Sequence, residues 1–394
     1  MHQAFVFMKL SEFTASHFAA AVAALLVSYG SSAVIVYQAA QSFGATSEQM
    51  NSWFTSLGLC CGILTLWFSI KSKVPVMFAW CTPGAALMIG MSGISLPQAV
   101  AAFMCAGGLM LLVSASGWFD RLVRLIPATL ASAMLAGILI NFGSRVFVSM
   151  QTQTLLVVLM LATYLLVRIR LPRYSILLML AVGFLYTAAA GLLQTDKLAA
   201  AAPALQWVNP EFHLGTIISV GVPLFVATLV GQNVPGMAVM RAYGYDTPGK
   251  PLINGSAGAT FLFAPLGVFM VNLAAISAAI CMGRDVDKDP AKRYYANILM
   301  GVFYLLMAAC GGMVVSLFAA LPNELLTALA GIAIFGTLQA NLVAAWTDEP
   351  TREASLLTLL VSASGMSLWG IGSAFWGLLI GVAVYHLNVK TSRK

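Results

Sequence analysis

Charged side chains are scarce in this sequence, which has 20 Lys or Arg and 13 Asp or Glu residues among 394. They make up 8% of the chain, against about 25% in soluble domains, and this scarcity excludes an ordinary soluble protein. The basic residues form no cluster typical of nucleic-acid binding. Apolar residues reach 60%, and a membrane-spanning helix needs about 20 residues. The chain is therefore predicted to be an all-α polytopic protein of the lipid bilayer.

Residue clusters typical of enzymes and metal sites are also lacking. The four His residues lie at termini or span edges, and the six Cys residues lie in apolar runs without metal-ligand spacing. Asp285, Asp287 and Asp289 resemble the start of a calcium loop, but Pro290 stands where that loop needs glycine. We therefore expect no enzymatic activity, no cofactor and no bound metal.

Up to 14 apolar stretches lie between the charges, glycines and prolines. Prolines interrupt the stretches near 74–92 and 250–282, so a plain hydropathy count would merge or drop one span, which leaves 12 or 14 as totals. The predicted spans cover residues 18–41, 50–70, 74–92, 97–116, 126–144, 153–169, 173–193, 215–235, 250–262, 263–282, 294–318, 323–344, 354–369 and 371–389.

Lys and Arg are distributed unevenly between alternate loops. When the N-terminus is placed inside, 18 of the 20 fall on the inner side, and only Arg145 and Lys197 fall outside. Such a bias marks the cytoplasmic side of a membrane protein. It predicts cytoplasmic N- and C-termini and an even number of spans. The first residues also lack the pattern of a cleavable signal peptide.

Residues 126–138 and 321–332 share a pattern of Pro, Leu and Ala at an offset of 195, and after a one-residue slip both continue into Leu-Ala-Gly-Ile. Half the chain is 197 residues, so a duplication predicts this offset, although two apolar helices can share Leu, Ala and Gly by chance. With 14 spans each half has seven. An odd number requires the two halves to have opposite orientations in the membrane.

Proline and glycine interrupt spans three and ten. Non-helical backbone persists in lipid only where protein or water surrounds it. In span three, residues 75–80 suit an extended entry, Thr82 can cap a helix and Pro83 is tolerated in a first turn. A half-helix is therefore predicted to begin at Thr82–Gly84. In span ten, the corresponding start is predicted at Met270–Asn272.

Two half-helix N-termini that face a common point favour an anion, since each carries about half a positive charge. Simple proline kinks are the alternative. Gln232 and Asn233 are adjacent amides at membrane depth, which are costly unless partnered and so favour a polar site. Residues 28–32 of span one are also polar, although serines in spans often bond their own backbone. Trp80 and Phe269 could stack on a ring or simply pack.

Several motifs carry a resemblance to a known family: residues 28–33, 82–87, 133–138, 232–236 and 370–377. On these motifs the sequence resembles the bacterial benzoate/proton symporter family of the BenE type. The resemblance implies import of benzoate or a similar small aromatic carboxylate, together with protons, across the cytoplasmic (inner) membrane of a bacterium. The sequence shows no intramembrane acid for the proton, which could travel on the substrate, by water or through Glu324.

A more distant similarity to nucleobase carriers and sulfate-type anion carriers implies 14 spans, with spans 1–4 and 8–11 as a core and spans 5–7 and 12–14 as a gate, often in a homodimer. The domains would be a first inverted repeat over 1–193, an extracytoplasmic loop over 194–214 and a second repeat over 215–394. Nucleobase carriers place acidic residues in spans eight and ten. Here Gln232 and the Val271–Asn272 pair match them, which suits an anionic substrate.

We therefore expect a secondary active transporter that works by alternating access between core and gate. A carrier of a different anion or a nucleobase is the alternative within this fold, and an anion channel is the alternative from another class. A channel usually has a charged ring or a repeated filter, and the sequence shows neither. The candidate substrate-binding residues are Tyr29, Ser31, Ser32, Trp80, Cys81, Thr82, Pro83, Gly84, Gln232, Asn233, Phe269, Met270, Val271 and Asn272.

Overall fold

The computed structural model describes residues 12–89, 91, 93–118, 126–198 and 201–391, without the side chains of residues 31, 173 and 389–391. Helices dominate it. The elements of the first half are α1 (Ala15–Ser42), α2 (Ser47–Ser72), β1 (Phe78–Trp80), α3 (Thr82–Ile89), α4 (Leu96–Ser116), α5 (Ala128–Ser149), α6 (Thr154–Arg170) and α7 (Ser175–Ala189).

The second half begins with the same order of elements: two helices, a short strand and a short helix. It comprises α8 (Leu214–Ala242), α9 (Gly249–Phe263), β2 (Val271–Leu273), α10 (Ile276–Met282), α11 (Tyr294–Ala309), α12 (Gly311–Ala320), α13 (Asn323–Ala333), α14 (Phe335–Ala345), α15 (Arg352–Ala363), β3 (Ser367–Leu368), β4 (Ile371–Gly372) and α16 (Ser373–Thr391). Helix α8 contains two π-helical stretches, and α11 and α12 meet at a bend of 62°.

The predicted fold class is confirmed: the protein is helical, and a short strand precedes a half-helix in span three and again in span ten. Within the described residues, six helices are long and apolar enough to span a membrane, or seven if the bent pair counts as one span. The total of 14 stays a prediction. The two copies of the repeated motif begin a helix in the same way: Pro127 is the N-cap of α5, and Pro322 is the N-cap of α13.

Strands β1 and β2 come from different halves and pair antiparallel at the centre of the fold. Phe78 pairs with Leu273, Ala79 with Asn272 and Trp80 with Val271. The pairing provides partners for backbone groups that a half-helix leaves open, as lipid requires. The two short helices α3 and α10 therefore both start beside one hydrogen-bonded strand pair.

Small residues allow close helix contacts around this centre. A Cβ atom added at Gly58 of α2 would lie 2.8 Å from the Ala308 Cβ of α11, and one added at Gly377 of α16 would lie 2.8 Å from the Thr358 carbonyl oxygen of α15. Helix α4 packs chiefly on α9, whereas α5 packs chiefly on α14 and α15. Both α4 and α5, which belong to the first half, thus pack chiefly on helices of the second half.

Candidate functional site

The predicted start of α3 is confirmed, but its cap is Cys81 rather than Thr82. The Cys81 sulfur accepts the Gly84 N–H at 3.3 Å, and the Cys81 carbonyl accepts the Ala85 N–H at 2.9 Å. Pro83 is buried and has no N–H. Thr82 is half-exposed and carries the remaining amide of this first turn. A Cβ atom on Gly84 would collide with Leu224 of α8, so glycine permits this close approach.

The prediction that the second half-helix begins at Met270–Asn272 is wrong. Val271 and Asn272 belong to β2, and α10 begins only at Ile276. The physical reason is the strand pairing, since the Met270 carbonyl accepts the Cys81 N–H at 3.1 Å. Met270 also has a φ of 28°, a left-handed value that no helix accommodates.

Asn272 is the most unusual polar residue of the strand pair. It is fully buried, and neither atom of its amide has a hydrogen-bond partner in the described part of the chain. Ala79 lies directly opposite and is half-exposed. A buried polar group without a partner costs about 1–3 kcal/mol. The amide is therefore available to a group from outside the chain, such as a water or a ligand.

Trp80 of β1 contacts two residues of α1, Ser32 and Tyr29. The Trp80 indole Nε1 donates to Ser32 Oγ at 2.9 Å, and that hydroxyl donates to the Ser28 carbonyl at 2.5 Å. The Tyr29 ring meets Trp80 edge to face, with 5.0 Å between centroids. The structure thus brings Tyr29, Ser32 and Trp80 together. The side chain of Ser31 lies outside the described residues.

Phe269 does not join this group. Its ring is fully buried and packs on Trp53 and Phe103, at centroid distances of 5.5 and 6.1 Å. Sequence reasoning also missed Tyr304 of α11, whose ring lies 6.1 Å from both Tyr29 and Trp80. Its signal would have been a tyrosine in the apolar middle of the span, apart from Tyr294 and Tyr295 at the start.

The adjacent amides of span eight have different surroundings. Asn233 is fully buried, and its Oδ1 accepts the Leu273 N–H at 3.0 Å, so it fixes the end of β2. Gln232 is half-buried, and its side chain makes no hydrogen bond within the described residues. Both end a π-helical stretch, Leu229–Asn233, a feature frequent at functional sites. Gln232 is therefore the amide free to meet a ligand.

An apolar cavity of about 330 Å³ opens between α1, α7 and α10. Ile276, the first residue of α10, is 74% exposed, so the start of this half-helix is accessible from the cavity. The size falls within the range of small-molecule pockets. The lining residues are Leu26, Val27, Pro172, Ile176, Leu177, Ile276 and Ile280.

The fold is similar to those of solved membrane protein structures. The structure of SLC26A9 matches with a TM-score of 0.65 at 12% identity, over 97% of this chain and 66% of that one. The transmembrane domain of the cyanobacterial bicarbonate transporter BicA matches with a TM-score of 0.55 at 13% identity, over 96% of this chain and 98% of that one. At such low identity the likeness shows the fold alone.

Sequence relatives are much closer. Inner membrane protein YdcO of Escherichia coli is 40% identical over 363 residues, which are 92% of this chain and 93% of that protein. The benzoate membrane transport protein of Acinetobacter baylyi is 37% identical over 368 residues, 93% of each chain. The profile of the BenE family, described as benzoate membrane transport protein, matches residues 11–387. The resemblance inferred from the motifs is confirmed, and the chain belongs to the benzoate membrane transport protein family.

Proposed function

We propose that this protein is a secondary active transporter, and not an enzyme, that imports benzoate or a similar small aromatic carboxylate with protons across the bacterial inner membrane. The observation that carries the proposal is the unpartnered Asn272 amide on β2, beside the start of α3 and the Trp80–Tyr29 pair. The name of the Acinetobacter relative supports benzoate as the substrate.

The carboxylate would bind through neutral donors. The Thr82 N–H lies at the positive end of α3, and the amides of Asn272 and Gln232 can each donate an N–H. Neutral amides are not paired with an anion of the protein. A monoanionic substrate therefore displaces no carboxylate when it binds to them. This suits a substrate that must be released again on the other side.

The aromatic ring would lie against Trp80 and Tyr29. Their rings already meet edge to face, and a third ring can extend such a cluster. The apolar cavity between α1, α7 and α10 would be the ring's route. With the predicted orientation, α10 runs from the strand pair toward the cytoplasm, so this route opens on the cytoplasmic side.

Transport would move a core of α1–α4 with α8–α12 against a gate of α5–α7 with α13–α16. Gly30 of α1 faces α7, where the core and the gate would be in contact. A Cβ atom added at Gly30 would lie 3.3 Å from Leu177 Cδ2, so the absent side chain lets core and gate slide. The same proposal includes two inverted repeats, over residues 1–193 and 215–394, joined by an extracytoplasmic loop over 194–214. It also includes assembly into a homodimer.

Uptake of radiolabelled benzoate into proteoliposomes, with and without an inward proton gradient, tests the function. Protein-free vesicles give the background, because neutral benzoic acid crosses lipid unaided. We expect gradient-dependent accumulation above that background. Accumulation of uracil or sulfate in place of benzoate would identify a different substrate, and benzoate flux that only dissipates its own gradient would identify a channel.

A further inference from the structure

Three buried hydroxyl groups behind Trp80 make no hydrogen bond of good geometry in the described part of the chain: those of Ser28, Tyr29 and Tyr304. The rings of Tyr29 and Tyr304 are 6.1 Å apart, and Ser28 neighbours the Tyr304 hydroxyl. A buried water makes about three hydrogen bonds to otherwise unsatisfied groups. These three oxygens are therefore suited to hold water between α1 and α11.

Asn297 continues this row of unpartnered groups along α11. It is fully buried, and both of its amide atoms lack partners within the described residues. Asn297 lies seven residues before Tyr304 on the same face of the helix, about 10 Å nearer the start of α11. That start follows the basic loop predicted to be cytoplasmic, so the row runs from the candidate site toward the cytoplasm.

The row ends at a close contact between His17 and Asp287 at the start of α1. His17 is fully buried, and its Nε2 lies 3.2 Å from Asp287 Oδ2. His17 Nδ1 accepts the Thr14 N–H at 3.1 Å, so the mobile proton of the ring lies on the Asp287 side. One face of α1 carries His17, Ala21, Ala24 and Ser28 in that order. Only the two small alanine side chains lie between the polar side chains of His17 and Ser28 on this face.

Other charged and titratable groups surround the pair. The His17 ring lies 5.7 Å from that of Tyr295, whose hydroxyl is bonded to Glu12. Lys292 lies in the same loop as Asp287, and its positive charge disfavours the protonated form of His17. Arg293 is buried and donates to the backbone carbonyl of Asp287 at 2.9 Å. The Asp287 side chain is 18% exposed, so the pair can exchange a proton with cytoplasmic water.

We propose that these groups carry the coupled proton, in a water-filled relay from the Ser28–Tyr29–Tyr304 hydroxyls through Asn297 to the His17–Asp287 pair. Each hydroxyl or water accepts a proton on one side and donates one on the other, so none changes its charge. At the end of the row the arriving proton binds His17 Nδ1 in place of the Thr14 N–H, and Nε2 passes its own proton to the Asp287 carboxylate. Asp287 then releases that proton to the cytoplasm. This inference rests on the proposed proton symport, and it supplies the acid–base pair that the membrane spans lack.

Two variants break the relay without disturbing the proposed substrate contacts. His17→Gln removes the titratable ring and keeps the cap, because Gln49 closes the same capping box with Thr46 at the start of α2. Asn297→Leu replaces an unpartnered amide by an apolar side chain of similar size. Asn254→Leu on α9 is the matched control, since the Asn254 Oδ1 is also buried without a partner in the described residues.

Proteoliposomes report proton-driven benzoate uptake, and counterflow of labelled benzoate at equal pH reports substrate movement without net proton flow. We expect His17→Gln and Asn297→Leu to lower proton-driven uptake about tenfold or more, with counterflow unchanged and the control unaffected. Proton-driven uptake that survives in both variants, or falls together with counterflow, would overturn the relay alone. Benzoate accumulation by the unaltered protein without proton entry would overturn the symport itself.

Discussion

Thr65 and Thr260 make the same hydrogen bond 195 residues apart. Thr65 Oγ1 accepts the Phe78 N–H of β1, and Thr260 Oγ1 accepts the Val271 N–H of β2, each at 3.0 Å. Their separation equals the offset of the repeated Pro-Leu-Ala motif in the sequence. One threonine from the helix before each strand thus supports the central strand pair in both halves.

Replacing Thr65 or Thr260 by Val should destabilise the protein by about 1–3 kcal/mol, because a buried N–H loses its acceptor. Thermal unfolding in detergent measures the loss. Thr163→Val is the control, since the Thr163 hydroxyl only bonds the Leu159 carbonyl of its own helix α6. Melting temperatures that match the control in both variants would contradict this role.

Replacing Asn272 by Leu should have opposite effects on stability and binding. The ligand-free protein should melt at the same or a higher temperature, because an unpartnered buried amide is removed. The stabilisation that benzoate gives should disappear, because bound ligand raises stability only through its affinity. Thermal unfolding with and without benzoate tests both effects, and a retained ligand shift would remove Asn272 from the site.

Replacing Gln232 by Ala should weaken substrate affinity by about 10- to 150-fold, since one hydrogen bond to a charged group contributes about 1.5–3 kcal/mol. The fold should survive, because the Gln232 side chain makes no hydrogen bond within the described residues. Isothermal titration with benzoate measures the affinity, and Gln339→Ala on α14 provides a control amide. An unchanged dissociation constant would exclude Gln232 as a ligand.

Cys81 should tolerate Ser better than Ala. Ser keeps an acceptor for the Gly84 N–H, whereas Ala leaves the N-cap of α3 without one, at a cost of about 1 kcal/mol. Cys310→Ala is the control, because Cys310 stands at the N-cap of α12 but its sulfur accepts no N–H of that helix. Thermal unfolding ranks the variants, and equal melting of Cys81→Ser and Cys81→Ala would show that the sulfur contributes no cap.

The broken spans could be predicted because proline and glycine interrupt spans three and ten at matched places. The start of α10 could not, because it depends on hydrogen bonds between β1 and β2, and these strands lie about half the chain apart in sequence. The role of Asn233 was hidden for the same reason, since its partner is the backbone of Leu273.

Aromatic residues show the same division between local and distant information. Tyr29 and Trp80 lie in motifs of the sequence, and the structure brings them together. Phe269 is one residue from the strained Met270, yet its ring packs on Trp53 and Phe103 instead. The direction of the Phe269 ring depends on the orientation of the backbone that leads into β2. Residue type alone does not determine that orientation.

The strand pair also imposes an order of assembly during synthesis. The Cys81 N–H bonds the Met270 carbonyl, and the Ala274 N–H bonds the Met77 carbonyl. Extended backbone at membrane depth needs such partners, so residues 77–81 cannot reach their final state until the ribosome has passed Ala274. Span three must therefore wait, shielded by its neighbours or by the insertion machinery, while nearly two hundred further residues are translated.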